Sequence, residues 1–571
     1  MNSRMSLRRH LVATVLFCML VACGCGQSVI GVPDSDGNKN ANGGGKSRLP
    51  VTVSKETTWI TEPLRADGYP DYQAALNQRA SRGITPENNT VVALMHAFGP
   101  EIIDAKDREQ FFKMLGISPL LKKGDYFVDY DEYLKKHNPE TLKRQRDDSS
   151  CDSPLAYRQE RRSRNRPWIA NDCPLVAAWL AANEKPLAQV IEASRRSQLY
   201  VPVISPGTWE IEKGTGRAFT GATRAVVKAL CKRAMLRGGE GEVELAWSDL
   251  HACHRLGRHL RWVATSECPM QTYIEGVVCF YCWQFAHFSR ITPEQARKYR
   301  DDLRNLPPLP PGFPNLITDG RCEYLDAICA GARDRAEIAN IFGEHGVVIK
   351  LNFPKDLLEG SPDVGISRKD TPNTAAAKLV ASGLVDWDQV LRMGNEHYNQ
   401  IAEAGRLPTW PQQRDALDVL KKDIKRQATN LSNLPEGAGK DAQKANITRR
   451  MSAICLESFL YRCDIPQALL ITDKTAIVKF QLTDIALALS VYRAVHGEYP
   501  EKLNNLAPKY LDRVPYDPWG NGPFHYDREK DGYVLYSVGV NGKDDNGPLR
   551  AHGPITDDIG IRIPGQKEED E

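Results

Sequence analysis

The chain has 571 residues, 41% apolar and 26% charged. That is the composition of a folding protein too long for one ordinary core, so two or more domains are expected. Its 75 basic and 72 acidic residues leave a net charge of only +3, which argues against nucleic acid as a partner.

The first residues read as a targeting segment. Arg4, Arg8 and Arg9 precede an apolar run over 11–22. A spanning helix needs roughly 20 apolar residues, so this run is a signal-type core rather than an anchor. It ends in Leu20-Val21-Ala22-Cys23, which resembles a bacterial lipobox. That resemblance implies a signal peptide over 1–22 and lipid on Cys23. An ordinary secretory signal cut near Gly26 is the other reading. Gly24, where an Asp would hold a lipoprotein at the inner membrane, resembles sorting to an outer membrane facing the periplasm. Several acyl chains on one cysteine give stable anchoring. Residues 23–50 are rich in Gly, Asn, Ser and Lys and too polar to fold. A tether of about 25 residues reaches about 25–30 Å. The GGGKS within it is no phosphate loop, because Asn40 stands where the first glycine belongs and no apolar strand precedes it.

Of 14 cysteines, Cys18 leaves with the signal and Cys23 carries lipid, so 14 − 2 = 12 remain. An even number in an exported chain permits disulfides. Cys151 and Cys173 flank a polar, Arg-rich stretch and form the candidate pair; most others lie on helical patterns as small buried residues.

From 51 to 470 the dominant pattern is helical. Residues 222–236 and 241–260 form a helical hairpin, with the break expected at Arg237-Gly238-Gly239. It faintly resembles one tetratricopeptide unit, but no repeat at that period accompanies it. Further helices are expected over 173–193, 270–289, 293–303, 322–342, 387–404, 412–431 and 441–463, the last ended by Pro466. Residues 138–166 carry many charges and no apolar period, and are expected to be an exposed loop. The run PPLPPGFP over 307–314 is a stiff connector that could divide the helical region.

Two groups of residues in this region carry possible chemistry. His251, Cys253 and His254 bring imidazole and thiol to one side of a helix, the chemistry zinc prefers, though no partner motif completes three or four ligands. A core-edge pair is the plainer reading, and His259 could extend the face. Cys279 and Cys282 form a C-x-x-C, but in mid-helix within an aromatic run, which points to core packing rather than redox chemistry. That aromatic run is also too short to span a membrane. G-x-S-x-G, H-E-x-x-H and a strand-borne G-x-G-x-x-G are all missing.

The last hundred residues differ. A helix over 473–496 is followed by a C-cap at Gly497, a short helix near Leu503, and two strands over 523–526 and 533–538 with Asp531-Gly532 turning between them. This is a small α+β unit over 471–564, one long helix on an antiparallel sheet, with an acidic tail over 565–571. The expected fold class is therefore multidomain: a largely α-helical region followed by that unit.

Tyr492, Gly497, Tyr499 and Pro500 lead in order to Pro515, Asp517-Pro518-Trp519-Gly520, Pro523 and Tyr526. Tyr533, Tyr536-Ser537, Gly539, Gly542-Lys543 and Asp557-Asp558-Ile559 follow. In this order the region 473–563, about a sixth of the chain, resembles the globular part of the major pseudopilin of type II secretion, a family related to type IV pilins. The resemblance implies a calcium ion held in the loop after the second strand. Carried over, the ligands are Ser537, Asn541, Asp557 and Asp558, with Asp544 and Asp545 nearby. Asn541 stands where the family usually has Asp, Gly522 is an extra residue, and 547–556 has its own sequence. A solvated acidic loop is therefore the competing reading. The family's N-terminal apolar filament helix does not precede 473, since Asp473, Lys474, Lys479 and Asp484 interrupt that stretch.

These observations imply a non-catalytic envelope lipoprotein: a helical scaffold, membrane-attached through its lipid, whose pseudopilin-like end contacts a protein partner. An exported hydrolase with its site among the helices, or an accessory component of a secretion system, are the alternatives.

Overall fold

The computed structural model describes residues 49–143, 154–205, 215–259, 270–333, 380, 382–433, 440–462, 464–520, 522–548 and 557–563. Its helices are α1 (Tyr72–Ala80), α2 (Thr90–Phe98), α3 (Ala105–Leu115), α4 (Tyr130–His137), α5 (Leu155–Asn165), α6 (Pro174–Ala182), α7 (Glu184–Ala193) and α8 (Thr215–Gly239). They continue with α9 (Val243–His259), α10 (Met270–Phe288), α11 (Pro293–Arg304), α12 (Arg321–Arg333), α13 (Trp387–Gly405), α14 (Trp410–Asn433), α15 (Lys440–Arg462) and α16 (Asp464–His496). Strands β1 (His525–Arg528), β2 (Tyr533–Ser537) and β3 (Ile559–Ile563) form one antiparallel sheet in the order β1-β2-β3. The chain is thus largely helical with a small C-terminal sheet. The third strand, with alternating apolar residues in Ile559-Gly560-Ile561-Arg562-Ile563, adds to the two expected.

Local sequence explains most of the helix ends. Asn89 accepts from Val91 N at the start of α2, and Thr292 with Gln295 makes a reciprocal capping box on α11. Gly497, at φ 82°, closes α16 as expected.

Four expectations need correction. The hairpin does not break at Gly238-Gly239: α8 runs through both, and the turn falls at Gly241, with φ 87°. Gly239 serves close approach instead, since a Cβ there would lie 2.2 Å from the Trp168 carbonyl oxygen. The helix expected over 173–193 is two, α6 and α7, divided at the buried Asn183. Its side chain accepts from Val128 N (2.8 Å) and donates to the Val128 and Trp179 carbonyls. The charged stretch expected to be a loop contains α5. It turns Ala156 and Ser163 inward, and its Glu160 pairs with buried Lys232 at 2.8 Å. Pro466 does not end α15. It sits in the first turn of α16, where a missing N–H goes unused.

Helix α16 organises the C-terminal half. It begins at Asp464, ahead of the expected unit boundary at 471, and Ile485 to Val491 are all buried. A helix apolar on all sides must be covered on all sides. Helices α10 and α11 pack along it, and β2 and β3 also lie against it. By length and composition α16 could cross a membrane, but most of that stretch is buried inside the protein. Polar contacts stitch the seam. Trp283 Nε1 donates to Thr483 Oγ1 and Ser490 Oγ to the Ala286 carbonyl (2.8 and 2.7 Å). Arg300 pairs with Asp484 at 2.6 Å. Trp519 meets Trp410 edge-to-face at 5.6 Å, with the Lys474 ammonium 5.2 and 5.9 Å from the two rings. One continuous cluster of buried apolar side chains runs from Val51 to Ile563.

Candidate functional site

Two groups of polar residues stand out, one inside the helices and one on the C-terminal sheet. The first lies between α9 and α10. His254 Nδ1 donates to Glu275 Oε2 at 2.9 Å, and Nε2 lies 3.4 Å from Cys282 Sγ. Arg258 binds the other Glu275 oxygen, and its guanidinium lies 4.6 Å from the Phe480 ring centre on α16. The His254 and Glu275 side chains are fully buried. Burial alone would raise the Glu275 carboxyl, but His254 and Arg258 outweigh it and hold it below its ordinary value. Burial drives the Cys282 thiol well above its ordinary range, with Cys279, Cys231 and Glu275 adding to the shift.

Cys282, His254 and Glu275 thus lie in the order nucleophile, base, orienter. Their chemistry is nonetheless closed. The thiol is held protonated, and Phe480 separates the group from a cleft of about 340 Å³ that it shares with Leu303, Gln481 and Pro515. The group therefore works as a charge cluster that joins three helices, with both Glu275 oxygens engaged and Arg258 Nε buried with no partner among the described residues.

The three residues weighed for zinc look in different directions. His254 is committed as above. His251 accepts from Arg255 at 2.9 Å, and burial lowers its pKa to about 4. Cys253 Sγ faces the Val227 carbonyl. Among the described residues no three His, Cys, Asp or Glu side chains are spaced to hold a metal ion. Cys173 is buried and Cys279 and Cys282 are unpaired; Cys23 and Cys151 lie outside the described residues.

The second group is built on Asp517, buried at the turn before β1. Its Oδ1 accepts from Ser537 Oγ (2.7 Å) and Trp519 N (3.0 Å), and its Oδ2 from Val538 N (2.9 Å). Asp517 thereby ties the DPWG turn to the end of β2. Gly539, at φ 63°, follows, and a Cβ there would lie 1.9 Å from the Asp557 carbonyl oxygen. This close approach brings 557–558 beside the 541–547 turn. Asp558 Oδ2 accepts from Gly547 N (2.7 Å) and Asp545 N (3.0 Å), while its Oδ1 is buried with no partner among the described residues. Burial raises the Asp558 carboxyl, and Asp545 and Asp544 add to that against the two backbone donors. Asn541 donates to Asp545 Oδ2 (2.9 Å) and accepts from Lys543 N (2.7 Å).

Of the four carried-over ligands, the structure brings Asn541 and Asp558 to the two sides of Asp545. Asp557 is exposed beside them, and Ser537 is buried and engaged by Asp517. Asp517 belongs to the DPWG turn, and its sequence position marks it as a turn residue and not as a site residue. Glu275 and Arg258 gave no sequence signal, because a charged residue inside a helix looks the same whether it faces water or a partner.

Comparison with protein-family models, curated proteins and solved structures found no match to this chain.

Proposed function

We propose that this protein is a non-catalytic lipoprotein of the cell envelope. In this reading lipid on Cys23 anchors it, the tether up to residue 50 spaces it from the membrane, and the helices form a scaffold. The C-terminal unit, a pseudopilin-like head, meets a protein partner. The observation that carries this reading is the double use of α16. The long helix of the C-terminal unit is packed into the protein's own helical body, with α10 and α11 along it and β2 and β3 against it. The head then contributes its sheet and acidic turn, not a stalk. The Asp558 oxygen with no partner among the described residues, beside Asn541 and Asp545, supports a calcium ion there as a steadying element of the head. Ser537 would contribute only by leaving Asp517.

The test is metabolic labelling with an alkynyl fatty acid, followed by capture of the tagged protein from solubilised envelopes with and without chelator. Label that vanishes in Cys23→Ser, together with a companion protein retained on capture, is the expected result. An unlabelled, freely soluble wild-type chain would overturn the anchoring.

The alignment of Cys282, His254 and Glu275 favours one second reading, an exported hydrolase of cysteine type. It requires Cys282 to react with an alkylating agent in the native protein much faster than the chain unfolds. Labelling only on denaturation would remove it.

A further inference from the structure

Helix α5 concentrates positive charge in a chain that is otherwise balanced. Between Leu155 and Arg166 stand Arg158, Arg161, Arg162, Arg164 and Arg166 against the single acid Glu160. That is 5 − 1 = +4 on twelve residues, against +3 for the whole chain. The helix has two distinct sides. Ala156 and Ser163, seven residues apart, are fully buried. Tyr157, Arg161 and Arg164 recur at helical spacing on an outward flank, and Arg162 and Arg166 are exposed as well. The Arg162 and Arg164 side chains are each half exposed although they touch Asp172 and Glu160. Tyr157, at 42%, and Ile169, just past the helix at 45%, add exposed apolar groups to the same stretch. Acids do border it: Glu160 is turned toward buried Lys232, Asp172 meets Arg162, and Asp131 hydrogen-bonds Tyr157. Arg158 and Arg161 have partners of their own, yet Arg161, like Arg162, Arg164 and Arg166, is exposed.

We infer that this face of α5 rests on an anionic phospholipid surface. Its shape suits a plane better than a peptide: the arginines stand on the outer side of a helix, not in a groove. Guanidinium groups bind phosphate oxygens, while a tyrosine and an isoleucine among them can enter the headgroup layer. The inference rests on the envelope reading, in which a tether of about 25 residues keeps the body within about 30 Å of a membrane. A lipid anchor would supply one attachment and this face a second, so that the body lies on the membrane in a fixed orientation.

The test uses the full chain carrying Cys23→Ser, so that no acyl chain contributes. It is floated with vesicles of phosphatidylcholine alone or with about 30% phosphatidylglycerol. The expected result is flotation with the anionic vesicles only, weakened by added salt. Arg161→Glu with Arg166→Glu should lower the partition coefficient by at least about tenfold, with an unchanged thermal melt. If that pair disturbs folding, Arg161→Gln with Arg166→Gln gives a smaller loss in the same direction. Equal binding to both vesicle types, binding indifferent to these substitutions, or no flotation overturns the inference. Retention on heparin beads without vesicle binding also overturns it, in favour of an acidic macromolecule. Fatty-acid labelling of Cys23 is read separately, so failure here leaves the lipoprotein reading standing, and the reverse.

Discussion

The buried cluster around Glu275 and the acidic turn around Asp558 are built from the same kinds of side chain and solve opposite problems. Around Glu275 the carboxylate meets a histidine and an arginine of the same chain, and burial is complete. Around Asp558 one oxygen is bonded and the other is buried with no partner among the described residues, with exposed carboxyls and an exposed amide close by. A closed set of charges holds helices together. The contrast lies between a carboxylate engaged through both oxygens and one engaged through a single oxygen, not between residue types.

The largest effect should come from opening the closed set. Glu275→Ala leaves Arg258 buried without its carboxylate and should cost about 3–5 kcal/mol, read as a lower urea midpoint. A loss under about 1 kcal/mol would mean the cluster is not the closed unit described.

Asp473 stands between the two cases. One oxygen accepts from Gly312 N (2.6 Å) and Phe313 N (3.2 Å), tying the proline-rich connector to α16, while the other is buried with no partner among the described residues. Burial pushes its pKa up to about 7, against the two backbone donors. The folded state therefore holds a proton that the unfolded chain has lost, between about pH 4 and about 7. Stability from this group is greatest below about pH 4, falls as pH rises to about 7, and is level beyond. The change is on the order of 4 kcal/mol. Asp473→Asn should flatten that slope in melts taken across the range. An unchanged slope would place the titration elsewhere.

Asp517→Ala strips the acceptor from Ser537, Val538 and Trp519 at once and should cost about 2 kcal/mol, seen as a lower melting temperature. The smallest change sharpens the open side. Asn541→Asp restores a carboxylate beside Asp545 and should tighten calcium binding by about tenfold, read as a larger calcium-dependent rise in melting temperature. A wild-type chain and a variant both indifferent to calcium would make the turn a solvated acidic loop.

Much of the helical fold was legible because its helices carry apolar stripes. The helix expected over 241–260 is Val243–His259, and the one over 387–404 is Trp387–Gly405. Helix α5 was hidden because its inward residues are an alanine and a serine, which carry no hydropathy signal. Gly238-Gly239 misled because a glycine that admits a neighbouring carbonyl spells the same as one that ends a helix. The start of α16 was placed too late, since Asp473 and Lys474 look like surface residues until Gly312 and two indoles are seen around them. The candidate site was legible only in part. Asn541 and Asp558 were marked and lie close together, whereas the brace that positions them, Asp517, was visible as a turn residue and not as an acceptor of three hydrogen bonds.

The perpendicular indoles of Trp410 and Trp519, with an ammonium beside both, have an optical consequence. Two such chromophores at this distance couple, and the pair forms only while α14 and the DPWG turn stay together. A near-ultraviolet circular dichroism difference between wild type and Trp410→Phe would isolate that signal. It would turn the seam between the helices and the sheet into an intrinsic probe, able to report on its opening without an added label.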